Sequence, residues 1–431
     1  MSREMKDSGD KAIGTVPCDW NISPLKHSIT YNDESLSEKT DPDYKFRYIE
    51  IGAVTIENGV SEYGKYTFRE APSRARRIVK NDDVIISTVR TYLRAITVIK
   101  DDEDVIASTG FAVLRPKSIV PGYLGYVLKS NSFIENVIAN SYGVSYPAIN
   151  SSDLVRLHIP LPQEKEQRQI VSFLDRKCSA IDTAIEKTKK SIEKLEEYKK
   201  AVITKAVTKG LEPDAKMKDS GVEWIGEVPE MWDVLPIKRK YNIVSGATPK
   251  SDKPAFWDGD IPWITPSDYK TEDVFVSDGK KSITREGYNS CSTTLVPEGS
   301  VIFSKRAPVG TVAISSNELC TNQGCLSCVP CKDILPKFGY YTILSGKEIF
   351  EIAALGTTFM EISADAFANF KLPYCSLSEQ HQIVDYLDNK CASIGALIVK
   401  KQEAISKWEE YKKSLIYYAV TGKIDCRGEN L

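Results

Sequence analysis

Two residue groupings in this 431-residue chain could do chemistry, and they point to different ligands. The first is cationic. Between Lys65 and Lys100 stand nine Lys/Arg against the three acids Glu70, Asp82 and Asp83, a local excess of six positive charges in a chain of net charge −2. Arg74, Arg76, Arg77, Lys80, Arg90 and Arg94 are its centre, with Tyr92 between the last two. Such a stretch suits a polyanion, although a solvated face explains a charge run equally simply. A second cationic pair, Lys305-Arg306, lies in Ser304-Lys305-Arg306-Ala307-Pro308-Val309-Gly310, which reads as a strand end followed by a tight turn. Arg90 and Arg306 are the strongest single candidates, because a guanidinium pairs bidentately with guanine or phosphate.

The second grouping is sulfur. Cys320, Cys325, Cys328 and Cys331 have the look of a zinc site. An internal repeat, described below, weakens that reading: aligning Gly324 with Gly110 sets Cys325 opposite Phe111, Cys328 opposite Leu114 and Cys331 opposite Lys117. Two of these are ordinary core-strand positions, and free cysteine is a common buried residue. No metal and no cofactor is expected.

Catalytic signals are missing. The three histidines, His27, His158 and His381, have no triad-like setting. Neither a Gly-x-x-x-x-Gly-Lys phosphate loop nor an Asn-Pro-Pro-aromatic methyltransferase motif nor a glycine-rich cofactor loop occurs. The chain is therefore expected to bind rather than catalyse. Apolar content of 42 % with 27 % charged residues belongs to a globular chain with room for two or three domains. Ten cysteines fit a reducing cytoplasm, and neither an apolar leader nor a membrane-length apolar run is seen, so the expected location is cytoplasmic.

What must position the cations is a frame written twice. Residues 5–26 return at 217–238 with 12 identities in 22 positions, including Met-Lys-Asp-Ser-Gly, Ile-Gly, Val-Pro and a Trp at 20 and 232. Residues 166–208 return at 379–421 with 23 identities in 43. The offsets, 212 and 213, make the chain a tandem pair of half-molecules. The middles have diverged. Asp83-Val84-Ile85-Ile86-Ser87 still echoes Ser300-Val301-Ile302-Phe303-Ser304, so the segment Ser87–Tyr92 is the counterpart of the Lys305-Arg306 loop.

The repeated tails carry heptads. In the first, Leu174, Ile181, Thr188, Leu195 and Val202 alternate with Cys178, Ile185, Ile192, Lys199 and Ala206. In the second, Leu387, Ile394, Lys401, Trp408 and Leu415 alternate with Cys391, Ile398, Ile405, Lys412 and Ala419. Eight of ten positions are apolar in each, and the polar exceptions coincide, which is a coiled-coil pattern. Neither Pro nor Gly interrupts 163–209; Glu164 and Glu166 favour a helix start there, and Gly210 and Gly422 stand where C-terminal caps belong. Gly395 is a soft spot of about 1 kcal/mol. The simplest way to bury both seams is to pair the two helices within the chain, and the connection length leaves either orientation open.

On these residues the chain resembles the specificity subunits of type I restriction–modification enzymes. The resemblance rests on the helix approach Ile159-Pro160-Leu161-Pro162 through Glu166-Gln167-Arg168-Gln169-Ile170 and its copy from Leu372-Pro373-Tyr374 to Glu379-Gln380-His381-Gln382-Ile383. It rests also on the Trp-containing openings and on Ser245-Gly246-Ala247-Thr248-Pro249-Lys250 leading to Ile261-Pro262-Trp263-Ile264-Thr265. The first module departs from that pattern, having Ser28-Ile29-Thr30-Tyr31-Asn32 without the glycine.

The resemblance implies an α+β fold: two globular α/β target-recognition domains separated by two long helices that form an intramolecular antiparallel coiled coil, with a pseudo-two-fold internal repeat. The expected divisions are 1–160, first recognition domain; 161–210, first coiled-coil helix; 211–372, second recognition domain; 373–431, second coiled-coil helix. It also implies a non-catalytic reader of a bipartite, asymmetric DNA target, with half-sites about 34 Å apart. The implied partners are double-stranded DNA, two methyltransferase subunits docked on the repeated helices and Trp openings, and restriction/translocase subunits where present. The residues expected at DNA are Arg74, Arg76, Arg77, Lys80, Arg90, Tyr92, Arg94 and Tyr146 in the first module, and Thr248, Lys250, Lys305, Arg306, Thr357 and Thr358 in the second. The loops holding Tyr146 and Thr357-Thr358 mix glycine, hydroxyls and an aromatic, which suits groove insertion or an ordinary turn.

Overall fold

The computed structural model of the protein describes residues 3–56, 59–101, 104–143, 147–270, 273–354 and 360–428. It divides into two units: residues 1–189 with 402–431, and residues 190–401. The boundaries cut through both long helices, Glu164–Lys209 (46 residues) and Leu377–Val420 (44 residues). Each unit therefore holds one globular module, the start of the helix that follows it, and the end of the other helix.

The modules share a central sheet. In the first unit its order is Ile96–Val98, Val84–Ser87, Phe111–Pro116, Ile29–Tyr31, all antiparallel. In the second it is Val312–Ser315, Val301–Ser304, Cys325–Pro330, Tyr241–Ser245, extended by a parallel strand at Phe275–Val276. The central strands read as apolar runs, Val-Ile-Ile-Ser and Val-Ile-Phe-Ser, because both faces are covered. Each module adds a smaller mixed sheet, built around Val105–Ser108 in the first unit and Trp257–Ile264 in the second. The module then closes on itself: the exit strand His158–Leu161 pairs with Asn21–Pro24, and Lys371–Tyr374 with Asp233–Pro236.

The helix pairing is antiparallel in each unit. In the first, the Gln169 amide donates to the Arg427 carbonyl (2.9 Å) while Asp182 accepts from Lys412 (2.6 Å), so one number rises as the other falls. In the second, Ile203, Ala206 and Val207 share a core with Ile383, Val384 and Leu387. The two long helices form an intramolecular antiparallel coiled coil. Gly210 and Gly422 end them at φ +71° and +70°, the left-handed cap expected of glycine. The second helix runs unbroken through Gly395.

Seam burial follows the heptads toward the helix ends and weakens along their middles. Leu174, Cys178, Ile181 and Ile185 are buried, as are Leu387, Ile394 and Ile405; Ile192, Leu195, Cys391 and Ile398 are half-buried. Trp408, expected on the seam, is 40 % exposed and lies edge-on to Tyr411. Beyond Trp408, burial returns at the heptad positions Leu415 and Ala419, with Ile416 beside them.

The repeated openings prove to be internal pins. Trp20 and Trp232 are each 1 % exposed. The Trp20 indole N–H donates to Glu166 (3.0 Å) and that of Trp232 to Glu379 (3.1 Å), at the first turn of the helix following each module. The same rings pack on the glycine that ends the other helix: a Cβ added at Gly422 would lie 3.1 Å from Trp20, and one at Gly210 3.3 Å from Trp232. Beside them, buried Gln167 accepts from Val120 N–H and donates to the Pro162 carbonyl, while Gln380 accepts from Leu335 N–H and donates to the Asp333 and Cys375 carbonyls. The indole rings are thus unavailable as a docking surface, because the repeated Glu-Gln motif has drawn them inside.

Candidate nucleic-acid interface

At one end of each central sheet the backbone frame is the same. Ser87 and Ser304 end equivalent strands, and each hydroxyl donates to the carbonyl two residues on (2.5 and 2.7 Å). The next amide donates across a turn: Thr88 N–H to Gly110 (2.8 Å), Lys305 N–H to Gly324 (2.9 Å). Its carbonyl accepts from a returning segment, Ile149 N–H (2.9 Å) in one module and Ile362 N–H (3.0 Å) in the other. Isolated bridges then pair Val89 with Ala148 and Arg306 with Glu361. Three backbone positions are therefore equivalent: Thr88 with Lys305, Val89 with Arg306, Ala148 with Glu361. Arg90, the first module's leading candidate, falls one residue beyond the position of Arg306.

The side chains on that frame differ completely. In the second module Glu361 accepts from both cations, Lys305 Nζ on Oε1 and Arg306 Nε on Oε2, each at 2.9 Å. Burial alone would push the Glu361 carboxyl up; the hydrogen bonds from Lys305 and Arg306 outweigh it and hold the group below its usual range. The Lys305 side chain is 14 % exposed and that of Arg306 45 %, so the lysine is tucked in and the guanidinium faces out. Thr248 joins them, its hydroxyl donating to Gln323, the residue before Gly324. The chain reaches that point only because residue 246 is glycine: a Cβ there would stand 2.2 Å from the carbonyls of Thr321 and Asn322. Lys250 is exposed, and its carbonyl accepts from the Trp257 indole (3.2 Å).

The first module builds a different tip. It leaves the sheet early, at Asn32 (φ +53°), which explains the absence of the glycine segment. After Val89 the chain makes a single 3-10 turn, Thr91–Leu93, flanked by Arg90 and Arg94 at φ +50° and +51°. Two arginines in the left-handed region cost energy, and Thr91 holds the turn, its N–H donating to Pro147 and its hydroxyl bonded to Ser141. The result presents Tyr92 (52 % exposed) and Leu93 (43 %) outward, with the Arg94 guanidinium hydrogen-bonded to Asn131 (3.2 Å). Exposed Tyr142 is bridged to the same Ala148.

Of the remaining candidates, Arg74 belongs to this end, since its carbonyl accepts from Thr109, the neighbour of Gly110. Lys80 does not: it lies at the opposite end of the strand Val84–Ser87 and pairs with Glu34. Arg76 stacks on Phe68 and pairs with Glu38 (3.4 Å), and half-buried Arg77 leaves Nε without a hydrogen-bond partner among the described residues. The local excess of six charges is thus not an open patch. Folding brings Glu34, Glu38 and Asp43, acids that the sequence window does not count, against Lys80, Arg76 and Arg69, while Asp82 from within the window pairs with Lys100. Tyr146, Thr357 and Thr358 lie outside the described residues. Glu361, Gln323, Asn131 and Leu93 were not foreseen; for Glu361 the available signal was an acid facing Ala148 across the repeat.

The four cysteines disperse. Cys320 packs with Trp263 and Ile283, Cys325 with Ile264 and Tyr269, Cys328 with Tyr241 and Val301, and Cys331 is exposed. Burial pushes the thiols of Cys320 and Cys325 up to about 11 and about 12. Among the described residues no group of three or more His, Cys, Asp or Glu could hold a metal ion, and no helix is long and apolar enough to cross a membrane.

The model of the type I restriction modification DNA specificity domain matches residues 19–197 and again 229–407, most of the chain and one copy per repeat. The chain belongs to this family. Among curated relatives, the type I restriction enzyme MjaIX specificity subunit of Methanocaldococcus jannaschii is 35 % identical over 166 residues, 38 % of each chain. The MjaVIII specificity subunit of the same organism is 25 % identical over 96 % of this chain and 95 % of its own. Two solved structures share the fold. One, from work on complex assembly and conformational transition of the type I R-M system, has a TM-score of 0.79 at 22 % identity, covering 95 % of this chain and 99 % of that one. The other, the HsdS subunit from Thermoanaerobacter tengcongensis, has a TM-score of 0.55 at 23 % identity, covering 95 % and 98 %. Specificity subunits of type I restriction–modification systems confer DNA sequence specificity, and that is the role of this family.

Proposed function

We propose that this chain reads a bipartite, asymmetric DNA target with two dissimilar modules, residues 1–160 and 211–372, joined by the helices of 161–210 and 373–431. It performs no catalysis itself. Two methyltransferase subunits dock on it, with restriction subunits where the system has them, and it works in the cytoplasm with no cofactor of its own. One observation carries the reading: the same backbone frame at the sheet end of both modules, with unrelated side chains mounted on it. Repeated frames supply equivalent assembly, and divergent tips supply two different half-sites. Affinity for DNA accordingly falls steeply with salt.

The decisive experiment replaces residues 26–158 with the first module of another family member and maps methylated sites in cells that carry a partner methyltransferase. One half-site changes and the other stays. A change in both halves, or in neither, overturns the reading.

A further inference from the structure

The second module's tip is a triad of two cations and one acid, where the first module has Thr88, Val89 and Ala148, none of which ionises. Resting on the DNA-reading role, we infer that Glu361 is a positioning residue that aims Arg306 at a guanine of the second half-site. The chemistry of each contact supports this. Glu361 holds Arg306 through Nε, at 2.9 Å. A guanidinium tied at Nε turns its Nη1–Nη2 edge away from the carboxylate, and that edge matches the O6 and N7 acceptors of guanine in the major groove. Lys305 pins the other carboxylate oxygen from a position that is only 14 % exposed. Its charge keeps Glu361 ionised despite burial, so the buttress stays in place when solvent is expelled by DNA.

A phosphate clamp would be built otherwise. Phosphate binding rewards bare positive charge and tolerates mobile side chains. Here one of the two cations is spent on an acid, leaving a single net positive charge but a fixed direction. Holding a long side chain in one geometry is rewarded where the ligand itself is directional, as a base edge is.

The test uses the full chain assembled with its methyltransferase partner, carrying Arg306→Ala, Arg306→Lys, Glu361→Ala or Glu361→Gln, on duplex libraries randomised one target position at a time. Thermal melting of each variant confirms folding, and Glu361→Gln serves should Glu361→Ala fail to fold. Arg306→Ala, Arg306→Lys and both Glu361 variants should relax one and the same base pair of the second half-site. Guanine preference there should drop about tenfold to a hundredfold, with the first half-site unchanged. Three results overturn the inference: Glu361 variants that bind all DNA more tightly with specificity intact, which makes Glu361 a charge mask; an Arg306→Ala loss that is uniform across every sequence, which makes Arg306 a phosphate contact; or relaxation at a position that is not guanine. Failure of the reader role itself looks different, because the unaltered complex would then show no target preference to relax.

Discussion

Two loops mounted on one backbone frame, Thr88–Leu93 in the first module and Lys305–Gly310 in the second, have taken opposite routes to an outward-facing tip. The second spends charge: a buttressed arginine whose partner acid is itself held by a lysine. The first spends backbone strain: two left-handed arginines that push Tyr92 and Leu93 into solvent. The frame beneath is identical down to the serine hydroxyl that locks the strand end. The difference teaches where variation is cheap. Side chains beyond the last ladder hydrogen bond change with little effect on folding, whereas the pins that join module to helix cannot.

The sharpest way to break that comparison is to attack the pins. Trp20→Ala and Trp232→Ala should each destabilise by about 3–5 kcal/mol, since each removes a fully buried indole together with its hydrogen bond to the carboxylate at the helix start. Denaturant unfolding of both variants checks it, and clearly unequal losses would refute the equivalence of the frames. Next comes Gly246→Val, which forces a side chain against two backbone carbonyls 2.2 Å away. It should cost about 1–3 kcal/mol or more and abolish recognition of the second half-site while the first survives. A smaller effect belongs to the strained tip. Arg90→Gly relieves about 1 kcal/mol of left-handed strain but frees the unfolded chain by a similar amount, so stability should hardly move. DNA retention should fall, with the salt slope reduced by about one if a single phosphate contact is lost. A stability change without a binding change would show that the arginine merely shapes the turn.

Much of this architecture was legible in the sequence because it is periodic or repeated. The long helices announce themselves through seven-residue spacing and glycine caps, and the repeat identified which segments must share a frame. What was not legible needed three dimensions. The cationic stretch 65–100 looked unopposed because Glu34, Glu38 and Asp43 lie outside it in the chain yet against it in the fold. The 40 % exposure of Trp408 was likewise not legible, because a heptad template assigns a position and not how far a large ring is covered there. That the Trp rings turn inward was not legible, because nothing local shows that Glu166, some 146 residues away, receives the Trp20 indole. Glu361 was missed for the same reason: its partners are 55 and 56 residues upstream, and only the bridge to Arg306 brings them together.

The acid in that triad gives the finest distinction between the two tips. The Glu361 carboxyl is held below its ordinary value of 4.5 by Lys305 and Arg306, against the opposing pull of burial. A depressed carboxyl contributes stability that is present above the ordinary value and disappears as pH falls through the folded value. Below that window Lys305 and Arg306 face each other without their acid. The unfolding free energy of the unaltered chain should therefore exceed that of Glu361→Gln by about 0.2–1 kcal/mol near neutrality. The gap should close as pH drops below 4.5. Ala148→Gln, at the equivalent position of the first module, should show no such convergence, because no ionisable pair surrounds it on the frame. A gap that stays constant through the acid range would mean that Glu361 acts through shape rather than charge, and the contrast between a charged tip and a strained one would then lose its electrostatic half.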